Sequence, residues 1–388
     1  MRVRWGPVRT ASNMRKTTTL LTCGLLVAAA AQAQTTPPDD AVVYSNEFLA
    51  IGVGARAQAL GNSTVASSED IFSTYWNPAG LASVDTSAGL LAGAMHAEQF
   101  AGVTKFDYLG VSIPVASGGR RLGVSLIRQG TDDIANTLNL VEPDGSFNYD
   151  NITTFAVADY AAVVSYAQPT RLLKGRVSVG GNLKIIRRII GDFSQAWGVG
   201  VDLGARYVDG PFRAGLVLRD ATTTFNAWKT EFSEEDLATL QRTGNTLPDA
   251  SGSEITRPTL LPSLAYRFAF GDFGFAPEAT AFITFDGRRN ALIATDAGSA
   301  DLAAGLEVDF RRIVFARFGV DQFQKIRALG QDEGRLSPRP AIGLGVRIKR
   351  FSLDYAFSNP GSDNDLFAHV VSVNFGLSRG GATPRRRR

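Results

Sequence analysis

The chain has 388 residues, a formal charge of +3, 44% hydrophobic residues and one cysteine. So small a net charge is a poor basis for binding nucleic acid. No segment after the first thirty residues offers ~18 consecutive apolar residues, which excludes a transmembrane helix there.

The first stretch reads as a leader. Arg15 and Lys16 precede an apolar run, Leu20 to Ala30, and Ala31-Gln32-Ala33 follows as a small-x-small cleavage site. Residues 1–33 are therefore expected to be a secretory signal peptide. Cys23 lies inside the apolar run, so the mature chain would hold no thiol for a disulfide or a metal.

Residues 34–85 follow no strand pattern. "IGVGARAQALGNSTVAS" is rich in small residues. Gly52-x-Gly54-x-x-Ala57 loosely matches a dinucleotide fingerprint, but no strand–helix–strand unit follows. Ser67 and Asp70 are placed to open a helix, Ser67 as its cap. That helix should run through Ile71, Phe72 and Tyr75 and stop at Asn77, because Pro78 pushes its predecessor out of the helical region.

From Ala88 onward apolar and polar residues alternate with period two. Trp197, Val199, Val201, Leu203, Ala205 and Tyr207 share one face, against Gly198, Gly200, Asp202, Gly204 and Arg206 on the other. The same alternation recurs at Asp301–Phe310, Ile342–Lys349 and elsewhere, which marks half-exposed strands. Strands are expected near 88–98, 103–115, 120–130, 154–168, 175–189, 194–208, 211–225, 258–270, 273–286, 299–310, 312–322, 339–349, 350–358 and 367–378. Tight turns alternate with long connections at 131–153, 226–257, 287–298, 323–338 and 359–366. Apolar faces ending in aromatics, an even strand count and turns that interleave with loops describe an outer-membrane barrel over residues 86–378, of about 14 antiparallel strands. The 40 glycines, spread through strands, imply close backbone approach or curvature.

A segment ahead of the first strand then belongs inside the barrel or across its periplasmic mouth. Residues 34–85 are expected to form a hatch, with Tyr75-Trp76-Asn77-Pro78-Ala79-Gly80 as its motif and Asn77 bonding turn backbone. Lys184, Asp202, Arg206, Arg213, Arg219, Arg267, Glu307, Asp309 and Arg347 fall on the polar faces and are expected to line the lumen as a mutually neutralising network. His96 and His369 fall near strand ends and read as interfacial. No catalytic constellation, metal-ligand spacing or cofactor motif stands out. A basic tail, 379–388, follows the last strand.

The segment "FLAIGVGARAQALGNSTVASSEDIFSTYWNPAGLASV" resembles the N-terminal signature of the PorV/PorQ family of outer-membrane proteins. Its Asn-Pro-Ala turn also resembles the hatch of FadL fatty-acid transporters. One departure is the end of the last strand, Leu377–Ser378, where the family would close on an aromatic; Phe375 is near. The PorV/PorQ resemblance implies a non-enzymatic barrel in outer-membrane lipid that serves type IX secretion. Its partners would be the translocon or cargo C-terminal domains, met by loops 131–153, 226–257 and 323–338, with Trp228 as an exposed anchor. The FadL resemblance implies instead a channel for hydrophobic molecules. That channel would need an apolar pocket beside the hatch, lined by residues such as Phe72 and Tyr75, and a lateral exit. Inward faces of glycine and charge favour the docking role.

Overall fold

A computed structural model describes residues 45–84, 88–115, 118–244, 249–326, 335–358 and 367–378; the signal peptide and the basic tail lie outside them. Within these residues, fourteen antiparallel strands form one closed barrel. They are β1 (Ala88–Gln99), β2 (Thr104–Pro114), β3 (Arg121–Asn136), β4 (Thr153–Pro169), β5 (Val177–Ile190), β6 (Ser194–Asp209) and β7 (Phe212–Arg219, resuming as Thr224–Thr230). There follow β8 (Ser251–Thr256, Thr259–Tyr266 and Phe268–Phe270), β9 (Phe273–Thr284), β10 (Gly298–Phe310), β11 (Val314–Ile326), β12 (Arg335–Ile348), β13 (Phe351–Ser358) and β14 (Ala368–Ser378). Each pairs with the next, and β14 returns to β1 with Asn374 opposite Gly93. Closure leaves no edge, as hydrocarbon requires, because an unpaired N–H or C=O there would find no water.

Five strand ends run well past the expectation. β3 continues to Asn136, and the upper parts of β7 and β8 pair as Thr224↔Thr256 to Lys229↔Ser251 inside what reads as a loop. β11 and β12 likewise extend into 323–338, to Ile326 and from Arg335. Along these stretches the exposed positions mix apolar side chains such as Phe225 and Leu336 with Asp133, Lys229 and Arg335, so the alternation that marks a lipid-facing strand weakens. Ser67 does not cap a helix; its hydroxyl accepts a hydrogen bond from Arg56 Nη2. The helix begins later, at Ser73, after Asp70 Oδ1 has accepted from the Phe72 N–H, and ends at Trp76.

The barrel is inside out relative to a soluble sheet. Leu344 on β12 is 63% exposed, whereas Arg317 on the neighbouring β11 points inward and is 1% exposed. Leu109, Leu126, Trp197, Leu203, Phe318 and Leu353 continue the exposed apolar face. Leaving so many large apolar side chains in water would be unfavourable by about 25 cal/mol per Å², so the belt belongs in lipid and the chain in the outer membrane.

The lumen is filled by residues 45–84. They fold as the turn Glu47–Ala50, helix α1 (Ala55–Ala59), helix α2 (Ser73–Trp76) and the 3₁₀ turn Pro78–Ser83. Their apolar side chains, with Val53, Ile71, Phe72 and Trp76 almost wholly buried, form the core of the molecule. The wall admits them because it is glycine where they touch. A Cβ on Gly180 would lie 2.6 Å from Ala79 N, one on Gly215 2.5 Å from Val65 O, and one on Gly305 2.6 Å from Leu60 O. At Gly319 it would fall on the backbone of Leu60 and Gly61, and at Gly343 on the Ala59 side chain.

Replacing Gly319 by Val should unseat the plug without opening the barrel. The expected result is faster proteolysis within residues 45–84 and a raised ion conductance. Gly252→Val, where an added Cβ meets nothing within 4 Å, should behave as wild type.

Candidate functional site: the plug and the chambers it separates

Short turns mark the periplasmic end and long loops the outer end. The plug leaves a chamber on each side. The periplasmic chamber holds about 380 Å³ among Arg56, Leu60, Glu69, Arg213, Arg267, Phe315 and Arg347. The outer chamber holds about 270 Å³ among Leu49, Ala50, Asn62, Arg219, Phe282, Ala291 and Asp321. Leu60 borders one and Asn62 the other, so the partition at that point is the turn Leu60-Gly61-Asn62. Gly61 and Asn62 both hold left-handed backbone, φ 59° and 63°. Asn62 Nδ2 donates to Asp321 Oδ2 at 3.0 Å, and Arg339 grips the same carboxylate with two bonds of 2.7 Å.

Hydrogen bonds hold the stretch Tyr75–Gly80 within residues 45–84. Tyr75 donates from its hydroxyl to Leu49 O, 2.5 Å, and Trp76 Nε1 donates to Val53 O, 2.7 Å. Asn77 Oδ1 accepts from Ala79 N–H, closing the turn before Gly80. Asn77 Nδ2 donates to Val65 O of the plug and to Ala205 O of β6. Pro78 sits at the first position of the 3₁₀ turn, where its missing N–H loses no bond. Phe72 and Tyr75 line neither chamber; Phe72 lies 5.2 Å from the Tyr108 ring, and both are plug core.

Ion pairs bolt plug to wall. Arg206 donates from Nε to Ala66 O and pairs through Nη2 with Glu69, which also meets Arg213 at 2.9 Å. Arg56 of α1 pairs with Glu307 at 2.8 Å. Arg317 joins the same carboxylate at 2.8 Å and Asp354 at 2.7 Å. Lys184 bridges Asp202 and Asp220 at 2.7 and 2.5 Å, and Arg267 holds Asp309 at 2.6 Å. Arg219 lies 4.9 Å from the Tyr75 ring, and Arg347 stacks 5.0 Å from Phe315 at the periplasmic mouth. Burial raises the Glu69 carboxyl, but Arg206 and Arg213 outweigh it and hold the group below its ordinary range. Burial also pushes the Asp70 carboxyl up, and Arg56 and Arg347 offset only part of that.

Trp228 sits on the β7 extension rather than in a loop. Its ring faces inward, half-buried, with the Arg188 guanidinium 5.0 Å away. Both histidines stay on the outside, His96 against Asp107 and His369 against the Tyr355 hydroxyl. Sequence reading did not single out Arg56, Glu69, Arg317, Asp321 or Asp354. The wall members share faces with small inward residues, as Arg317 does with Gly319, so a longer run of alternation could have found them. Arg56 and Glu69 lie in a stretch with no period.

No family model and no curated protein matches the chain. Solved structures do match its fold. The monoaromatic hydrocarbon channel CymD is 12% identical, with TM-score 0.51, covering 85% of this chain and 99% of its own. The toluene transporter TodX of Pseudomonas putida is 12% identical, TM-score 0.54, covering 84% and 99%. The toluene transporter TbuX of Ralstonia pickettii is 11% identical, TM-score 0.52, covering 84% and 98%. At such identities the likeness is one of fold.

Arg317→Met should strand two buried carboxylates, Glu307 and Asp354. Removing one member of a buried pair usually costs about 3–5 kcal/mol. The expected loss, read by thermal unfolding in detergent, should exceed that of the exposed-pair variant Arg288→Met.

Proposed function

We propose that the protein is a FadL-type channel that carries small hydrophobic molecules across the outer membrane, with the plug as its gate. The observation that carries this is the outer chamber. It opens on the long-loop side, and Leu49, Ala50, Phe282 and Ala291 give it an apolar side. Its volume is ample for a single aromatic ring, since an apolar cavity of ~150 Å³ holds benzene. The three matched structures, described as channels or transporters of toluene and other monoaromatics, support the same class. The apolar contacts come from the turn Glu47–Ala50 and β9, not from Phe72 and Tyr75. Passage then requires the Leu60–Asn62 partition to shift, because it stands between the chambers.

A docking role in type IX secretion, as the PorV/PorQ resemblance implies, is the second reading. What favours it is an ordered outer cap. Loop 137–152 folds on itself, with the Glu142 carboxylate accepting from Asn148 and Asn151. It also packs on helix α3 (Glu234–Arg242) through Thr239–Asn139 and Arg242–Val141 hydrogen bonds. Phe147 and Tyr149 stand out from it, 65% and 71% exposed, as anchors for a partner would. The comparisons lend this reading no support.

Ala50→Trp should fill the outer chamber. In cells or proteoliposomes it is expected to slow uptake of radiolabelled toluene several-fold while leaving barrel folding unchanged. Undiminished uptake would remove the outer chamber from the route. Recovery of the wild type from native membranes with a large translocon, and no toluene uptake, would favour docking.

A further inference from the structure

Three of the short periplasmic turns concentrate cations. Arg311-Arg312 joins β10 to β11, and Lys349-Arg350 joins β12 to β13. Arg171, Lys174 and Arg176 crowd the turn from β4 to β5. Two of the outer connections, 137–152 and 231–250, are instead rich in Asp and Glu, with Arg242 their single cation, while 287–298 and 323–338 carry both signs.

The cations sit where backbone preference would place something else. Lys174, Arg311, Arg312 and Lys349 hold left-handed backbone, with φ of 62°, 53°, 57° and 56°. Tight hairpins favour glycine or asparagine there. The same rim does use glycine at two other turns, Gly210 and Gly271, both at φ 58°. A side chain kept in an unfavourable backbone region points to a function that needs it.

The neighbours show which environment the charges meet. Leu172 and Leu173 are 63% and 66% exposed, and Ile313, Ile348 and Phe351 are exposed beside the other two turns. These residues end the apolar belt, so the cations stand at headgroup depth. Arg176 and Arg311 have acidic partners, Asp209 and Asp272, at 2.9 and 2.8 Å. Among the described residues, Arg171, Lys174, Arg312 and Lys349 have none. A soluble acidic partner would account for the cations but not for the exposed leucines in the same turn. We propose that this periplasmic rim is a binding collar for anionic phospholipid headgroups of the inner leaflet, with phosphate held by the unpaired cations and acyl chains by the flanking apolar residues.

The test uses the full chain in nanodiscs of phosphatidylcholine containing a minor share of phosphatidylglycerol, with retained lipid counted by native mass spectrometry. Wild type should retain phosphatidylglycerol preferentially. The triple variant Lys174→Gly, Arg311→Asn, Arg312→Gly relaxes the turns while removing charge. Its preference should fall at least about fivefold, since a cation near an anionic surface is worth roughly that factor, with heat stability equal or higher. Lys349→Gln, which leaves the backbone alone, should lose a smaller share and serves if the triple variant does not fold. The proposal is overturned if wild type shows no preference or if the variants keep it. It is also overturned if a photo-crosslinker at position 174 captures protein rather than lipid in intact membranes.

Discussion

The approach of plug backbone to wall backbone is the constraint on which the rest of the structure depends. A fourteen-strand barrel is too wide for its own side chains to fill. Here the lumen is filled by a separate segment, and that segment fits because Gly180, Gly215, Gly305 and Gly319 carry no Cβ where it touches. The fit is close enough that a methyl group at any of them would meet main-chain atoms, which cannot move aside as a flexible side chain can.

Polar burial follows from the same geometry. A lipid-facing exterior leaves the polar face of every strand inside, and a plug that excludes water desolvates it. Charges in that setting are tolerable only when paired and hydrogen-bonded. The lumen meets this by sharing carboxylates: Glu307 serves Arg56 and Arg317, and Glu69 serves Arg206 and Arg213. Because several of these pairs join plug to wall, they fix how the plug sits as well as offsetting desolvation.

The barrel was legible because its cause is periodic. Alternation placed Leu203 outside and Asp202 and Arg206 inside, and the interleaving of turns and loops gave the strand number. Legibility failed where the period lapsed. Thr224–Thr230 pairs as strand, but its outward row passes from Phe225 and Ala227 to Lys229, so Trp228 looked like part of a loop. In the plug, Phe72 and Tyr75 looked available to a ligand because nothing in their sequence shows that Tyr108 and Leu49 close over them. The partners Arg56 and Glu69 lie in that same aperiodic stretch. What glycine frequency did convey was close approach, though not what approached.

A plug that gates, as proposed, must be able to move, yet this one is held at many points. The most direct measurement is therefore to lock it. Ser63 Oγ of the plug lies 3.1 Å from Thr280 Oγ1 of β9, one residue beyond the Leu60–Asn62 partition. Ser63→Cys with Thr280→Cys would tether the segment through a reversible disulfide. Toluene uptake should be blocked when the pair is oxidised and return on reduction. Equal uptake in both states, or none in either, would contradict the account of this barrel as a plug-gated channel.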